Sequence, residues 1–186
     1  MWGRLFRNFY SMKMGPIVTD RLIIREFQAS DFDAIHFYAS DPQVVEYMDW
    51  GPNAEADTHD FLNKQLEHQK ELNRTVYELA VTLKDSGLLI GGGGITLENE
   101  YGILGYCFDK RYWGNGYATE FTKALMAWGR KEFGLKHFKA TCDVLNEASR
   151  HVLEKCGFKV VSKKERHVEV RGRWRDTYFL EAADQL

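Results

Sequence analysis

Several protein classes are excluded by what this chain lacks. It has only three prolines in 186 residues and no repeat, linker or low-complexity tract, so nothing divides it or keeps it from regular structure. Its three cysteines, Cys107, Cys142 and Cys156, show no CxxC spacing, and their odd number leaves at least one thiol unpaired in any internal disulfide scheme. A reducing cytoplasm suits that pattern best. The six histidines form no HExxH motif and no Cys/His cluster of zinc-ligand spacing, so no metal is expected. The charge balance of 25 Lys+Arg against 27 Asp+Glu lacks the basic excess that would draw a whole domain to nucleic acid. No apolar run approaches the roughly 20 residues of a membrane span, so no membrane partner is expected. The opening MWGRLFRNFYSMK is interrupted by Arg4 and Arg7, is too short for a signal-peptide core and has no small-residue cleavage site. Residues 1–14 therefore read as a short basic, aromatic extension, either frayed or docked as an amphipathic segment on a partner or on the domain itself.

What is present suits a packed domain: 44% hydrophobic residues, with 12 Phe, 9 Tyr and 5 Trp. A chain of this length can bury roughly 70% of its unfolded surface. One domain is expected over residues 15–183. IVTDRLIIREF, from Ile17 to Phe27, mixes β-branched residues with charges and reads as a strand with one wet face. Ser30 or Asp31 offers an N-cap for a helix through Tyr38, Asp41-Pro42 opens a turn and a short helix over VVEYM, and a polar helix runs on from Gly51-Pro52 to about Leu72. With only a patchy apolar stripe, this front third reads as mobile surface helices.

The middle changes character. VYELAVTL, LLIGGGGITL and YGILGYCFD, separated by turns, read as three strands of an antiparallel meander. A helix with apolar positions Ala118, Phe121, Leu125 and Trp128 follows. HFKATCDV is a strand, and Asn146 begins a helix that ends at Cys156-Gly157. Two last strands meet at Arg171-Gly172. Strand, helices, three strands, helix, strand, helix and two strands make an α+β domain, a mixed, mostly antiparallel central sheet flanked by helices.

Two segments suggest chemistry. WGNGYA, from Trp113 to Ala118, stands between a strand and an amphipathic helix, where Gly114 and Gly116 permit tight turning and the helix start presents unpaired N–H groups to an anion. A plain glycine turn gives the same letters. No Gly-Lys-Ser/Thr follows and GxGxxG is missing, so it is neither a triphosphate loop nor a dinucleotide fingerprint. Gly91–Gly94 has no helix after it and reads as a bulge or a place where side chains would obstruct a neighbour. Asn146-Glu147-Ala148-Ser149 places Asn146 and Ser149 together at the next helix start, as an ordinary cap or as polar groups serving the same ligand.

With TDRLIIREF, LGYCFDKRYWGNGYATEF, NEASRHVLEKCGF and ERHVEVRGRWRDTYFL in this order, the chain resembles the GNAT superfamily of acyl-CoA-dependent N-acyltransferases from about residue 17 to 181. Within it, the resemblance is to the RimJ/RimL-like branch of ribosomal-protein N-terminal acetyltransferases. The resemblance implies a GNAT-like sheet, acetyl-CoA as co-substrate, and transfer to an amine. It implies that the CoA pyrophosphate lies on Gly114, Asn115, Gly116, Tyr117, Ala118 and Thr119, with Trp113 where other branches have Gln or Arg. It implies a strand splayed at a bulge whose Cys107 and Phe108 bond pantetheine through main-chain groups, Asn146 as a further pantetheine contact, and Ser149 as the acid for the departing thiolate. The thiols of Cys107 and Cys142 read as packed and inert.

Two departures stand out. Many members place a Tyr on the last helix as general acid, where this chain has Leu153, and relatives in the branch often carry a Glu where this chain has Ile103. Glu46, Tyr47 and Trp50 are candidates for the acceptor cleft, Glu46 as a base or as a solvated face. The expected acceptor is a protein N-terminal α-amine; a small amine such as a polyamine, amino sugar or antibiotic, and a non-catalytic acyl-CoA sensor, are the alternatives. A homodimer is compatible with the sequence.

Overall fold

The computed structural model describes residues 14–183. Of the expected extension, only Met14 falls within them, and it packs against the main core. The chain runs β1 (Ile17–Val18), β2 (Leu22–Glu26), α1 (Phe32–Ala39), α2 (Glu55–His68), β3 (Val76–Leu83), β4 (Leu89–Glu98), β5 (Tyr101–Phe108), α3 (Tyr117–Phe133), β6 (His137–Asp143), α4 (Glu147–Lys155), β7 (Lys159–Val170) and β8 (Arg173–Ala183). One eight-stranded sheet has the order β1-β2-β3-β4-β5-β6-β8-β7. Every neighbour is antiparallel except β5 and β6, which α3 connects in parallel.

Each face of the sheet carries its own core. On one, Phe121, Leu125 and Met126 of α3 and Leu153 of α4 pack on Leu22, Ile24, Leu79, Ile95 and Phe138. On the other, Ile35, Tyr38 and Ala39 of α1 and Leu62 of α2 close over Phe27, Ala80, Leu89 and Cys107. The expectation of loosely held surface helices in the front third is thus corrected: α1 is short, but its inner face is buried. The single expected strand over 17–27 is two, folded back at Thr19–Arg21 so that Ile17 pairs with Ile24. Residues 42–47 form turns rather than a helix. Val45 N–H closes one turn onto Asp41 O and Met48 N–H a tighter one onto Val45 O, but the carbonyls of Glu46 and Met48 are taken by the Arg171 guanidinium, which also reaches Val45 O, instead of by further helical N–H groups.

The four consecutive glycines of β4 answer a steric demand. A Cβ at Gly92 would lie 2.9 Å from Phe27 Cζ, and one at Gly93 2.8 Å from Phe121 Cε1. Alternate glycines face opposite sides of the sheet, so their hydrogens let both helical layers close on the same strand.

Candidate active site

The sheet opens in its middle. β5 pairs with β6 only from Tyr101 to Ile103, while its pairing with β4 continues unbroken from Tyr101 to Phe108. The second half of β5 therefore leaves β6 without any register shift against β4, which corrects the expected bulge in this strand. Asp109 N–H donates to Ile90 O. Because main-chain direction alternates along a strand, Cys107 also faces β4, opposite Gly92, whereas Tyr106 and Phe108 face the opening. The main-chain groups of Cys107 are thus turned to β4, and those turned to the opening belong to Tyr106 and Phe108. Phe108 O already accepts from Trp113 Nε1 at 2.7 Å, which pins the following loop to the strand. A cavity of about 850 Å³ fills the opening and continues beneath α1 and α2.

The loop after β5 is shaped for an anion. Gly114 and Gly116 have φ of 77° and 81°, a left-handed conformation that would strain any side chain. Gly116 is the N-cap of α3, and among the described residues no protein acceptor takes the N–H groups of residues 114–119. The loop is braced from β2's side: Arg21 Nη1 donates to Asn115 O at 3.0 Å and its Nε to Glu120 Oε2 at 2.7 Å, while Thr19 Oγ1 donates to Glu120 Oε1 at 2.6 Å. Burial opposes these contacts, yet the Glu120 carboxyl is held below its usual range by Thr19 and Arg21. Asn115, Tyr117, Ala118 and Thr119 complete the loop and first turn.

At the mouth of the opening, Asn146 Oδ1 accepts from Ser149 N–H at 3.0 Å, the cap expected of it. Its Nδ2 donates to no acceptor among the described residues, and both residues line the cavity. Ser149 Oγ lies 3.0 Å from Tyr106 Oη, a partner that the sequence pattern did not single out. Burial raises the Tyr106 phenol far above its usual range, so it keeps its proton. Leu153 is fully buried, and the phenol beside Ser149 comes from Tyr106 of β5.

The far wall comes from the helical layer. Tyr47 and Trp50 line it with Met48, Asp49 and Asp57, whereas Glu46 is exposed and lies outside the lining. The segment is tied down from 120 residues away: Arg171 donates to the carbonyls of Val45, Glu46, Met48, Trp50 and Gly51 at 2.6–3.2 Å. Glu78 of β3 also lines the cavity, and its pKa is pushed up to about 7 by burial, partly offset by Arg74. A lone acid in the apolar run VYELAVTL was the available signal for it. The thiols of Cys107 and Cys142 are free, with burial raising them to about 12 and about 11. Among the described residues no group of three or more side chains could hold a metal ion, and no helix is long and apolar enough to cross a membrane.

A sheet parted beside a glycine loop, with a capped serine helix at the gap, is the arrangement of an acyl-CoA-dependent acyltransferase. Residues 21–159 match the acetyltransferase (GNAT) domain family, and the chain belongs to that family, whose acetyltransferases use acetyl-CoA. It is 32% identical over 167 residues to the uncharacterized N-acetyltransferase YnaD of Bacillus subtilis, covering 88% of this chain and 94% of that one. The fold is shared with RimL, a ribosomal L7/L12 alpha-N-protein acetyltransferase solved with coenzyme A (TM-score 0.80, 19% identity, 91% and 98% covered). It is also shared with spermidine N-acetyltransferase from Vibrio cholerae, solved with CoA and spermine (TM-score 0.76, 16% identity, 89% and 96% covered).

Proposed function

We propose that this acetyltransferase passes the acetyl group of acetyl-CoA directly to an amine, and that its preferred acceptor is the α-amine of a protein N-terminus. The observation that supports direct transfer is the single continuous cavity, which joins the opened edge of β5 at Tyr106, together with Asn146 and Ser149, to the aromatic wall of Tyr47 and Trp50, so donor and acceptor can meet without a covalent stop on the protein. Gly114 to Thr119 hold the pyrophosphate through their N–H groups, Tyr106 and Phe108 bind pantetheine along the opened strand edge, and Asn146 Nδ2 offers a further donor. Ser149 protonates the leaving thiolate, its Oγ held 3.0 Å from the Tyr106 hydroxyl, which also donates to Ser149 O at 3.3 Å.

The α-amine is favoured by availability. With a pKa near 8 it is roughly one-tenth neutral at pH 7, whereas a lysine near 10.4 is neutral to only a few parts in ten thousand. The readings separate in kcat/KM at pH 7 for a peptide with a free N-terminus, its N-blocked counterpart carrying an internal lysine, and a polyamine. The free N-terminus should lead. Asp49 and Asp57 in the same wall favour a polyamine as the second reading, and a polyamine that outruns the peptide would replace the first.

A further inference from the structure

From the cross-strand row Glu78, Gly94 and Gly105, we infer that Glu78 is the general base of the transfer, its carboxylate carried over two glycines to the edge where β5 leaves β6. The inference rests on the proposed amine acetylation. It answers the loss of the acid expected on β5, where Ile103 stands.

The three residues are direct register partners on adjacent strands, Glu78 with Gly94 and Gly94 with Gly105. Directly opposed residues point to the same face, here the face of Ala80, Tyr38 and the acceptor wall. A Cβ added at Gly94 would lie 2.7 Å from Glu78 Cδ and 2.8 Å from Oε1, so the carboxyl lies over β4 and not over its own strand. Strands are about 4.8 Å apart, and this places the acid one strand nearer to the opening. At Gly105 a Cβ would meet nothing within 4 Å. The slot above Gly105 is open cavity on the half of β5 that has parted from β6. Ile103, by contrast, does not line the cavity.

Glu78 forms no hydrogen bond or ion pair among the described residues, which distinguishes it from the neighbouring acids: Glu26 is bound to Arg74 and Asp31 to Arg25. The titratable groups that face it are Tyr38 from α1, Arg74 from the segment before β3, and Asp57 from α2 across the cavity. Only Arg74 is a cation, and its charge is shared with Glu26. Burial therefore dominates and brings the carboxyl to about 7, close to the pKa of the α-amine it would deprotonate. The ammonium gives one proton to Glu78, the neutral amine bonds to the thioester carbonyl carbon, and the C–S bond breaks. Ser149 protonates the sulfur and is reprotonated by the second nitrogen proton, relayed by water, while Glu78 gives its own proton to solvent, so one proton is released per turnover.

The test is kcat/KM from pH 5.5 to 9.5 for the wild type, Glu78→Gln and Glu78→Asp, with acetyl-CoA and free N-terminal peptides of different amine pKa. The wild type should show an acidic limb near pH 7 that stays in place as the peptide's own pKa changes. Glu78→Gln should lose roughly 10- to 1,000-fold at pH 7, recover as pH rises, and follow the peptide's pKa. Glu78→Asp, a methylene shorter, should keep the limb at reduced rate. The acetyl-CoA melting shift should be unchanged in both variants. A wild-type limb that tracks the acceptor, or Glu78→Gln activity equal to wild type with the same profile, overturns the assignment of the base. A wild type that acetylates no amine would instead overturn the proposed function.

Discussion

The proposed donor site is made largely of main chain and the proposed acceptor wall of side chains. Gly114, Gly116 and the first turn of α3 offer N–H groups within six consecutive residues, fixed by two left-handed glycines. The proposed acceptor wall gathers Tyr38, Tyr47, Trp50, Glu78 and the Arg171 clamp from segments up to 133 residues apart. Main-chain recognition needs only a backbone path, which a few glycines and a helix start specify; recognition by side chains needs the whole fold to bring them together. One end can therefore persist while the other is rebuilt, and the two ends should fail separately.

The largest effect is expected at the donor end. Gly116→Glu places a carboxylate at the proposed phosphate site and a side chain at φ 81°. A ligand at 100 times its dissociation constant stabilises the fold by about 2.7 kcal/mol, and the melting shift that reports this should vanish. The comparison is within the variant, with and without acetyl-CoA, because strain alone lowers its melting temperature. A retained shift removes the loop from the donor site.

Ser149→Ala should come next, lowering turnover by roughly 10- to 1,000-fold with acetyl-CoA binding unchanged. Tyr106→Phe should cost less, since Ser149 keeps its own proton and loses only the hydroxyl that orients it. Equal turnover in Ser149→Ala would leave the serine as part of the helix start.

The same contrast explains what the sequence could show. The strand order of the meander, α3, α4 and the glycine loop were legible because hydrophobic period, caps and glycine placement are local. Asn146 announced its cap. Tyr106 and Glu78 were not legible in their roles: each looks like an ordinary strand residue until the sheet sets Tyr106 beside Ser149 and lays Glu78 over Gly94. The four glycines of β4 were legible as a steric device, but the residues they admit were not, because Phe27 and Phe121 lie on different layers far along the chain. Arg171 read as a turn residue beside Gly172.

Glu78 also carries a stability signature. A carboxyl raised from 4.5 to about 7 stabilises the folded protein fully below pH 4.5, and that stability is lost as pH rises through 7. The shift corresponds to at most about 3 kcal/mol, reduced by water in the cavity. Glu78→Gln should flatten this part of the pH–stability curve between pH 4.5 and 8 and exceed the wild type in stability at pH 8. Parallel curves for the two proteins would place the acid in solvent.

Arg171 should give the smallest effect, confined to the acceptor end. Its planar guanidinium reaches five carbonyls of the 45–51 segment at once. An ammonium is a single point charge that cannot span them. Those carbonyls lie near solvent, so water can replace the lost bonds and Arg171→Lys should fold with little change. What it should lose is the fixed position of Tyr47 and Trp50, whose freedom must then be restricted when the acceptor binds. A cost of about 1 kcal/mol would raise the acceptor KM roughly five-fold. The KM for acetyl-CoA and the acetyl-CoA melting shift should not move, because no Arg171 contact reaches the glycine loop. Equal changes in both KM values would mean that the clamp holds the whole cavity and that its two ends are mechanically one.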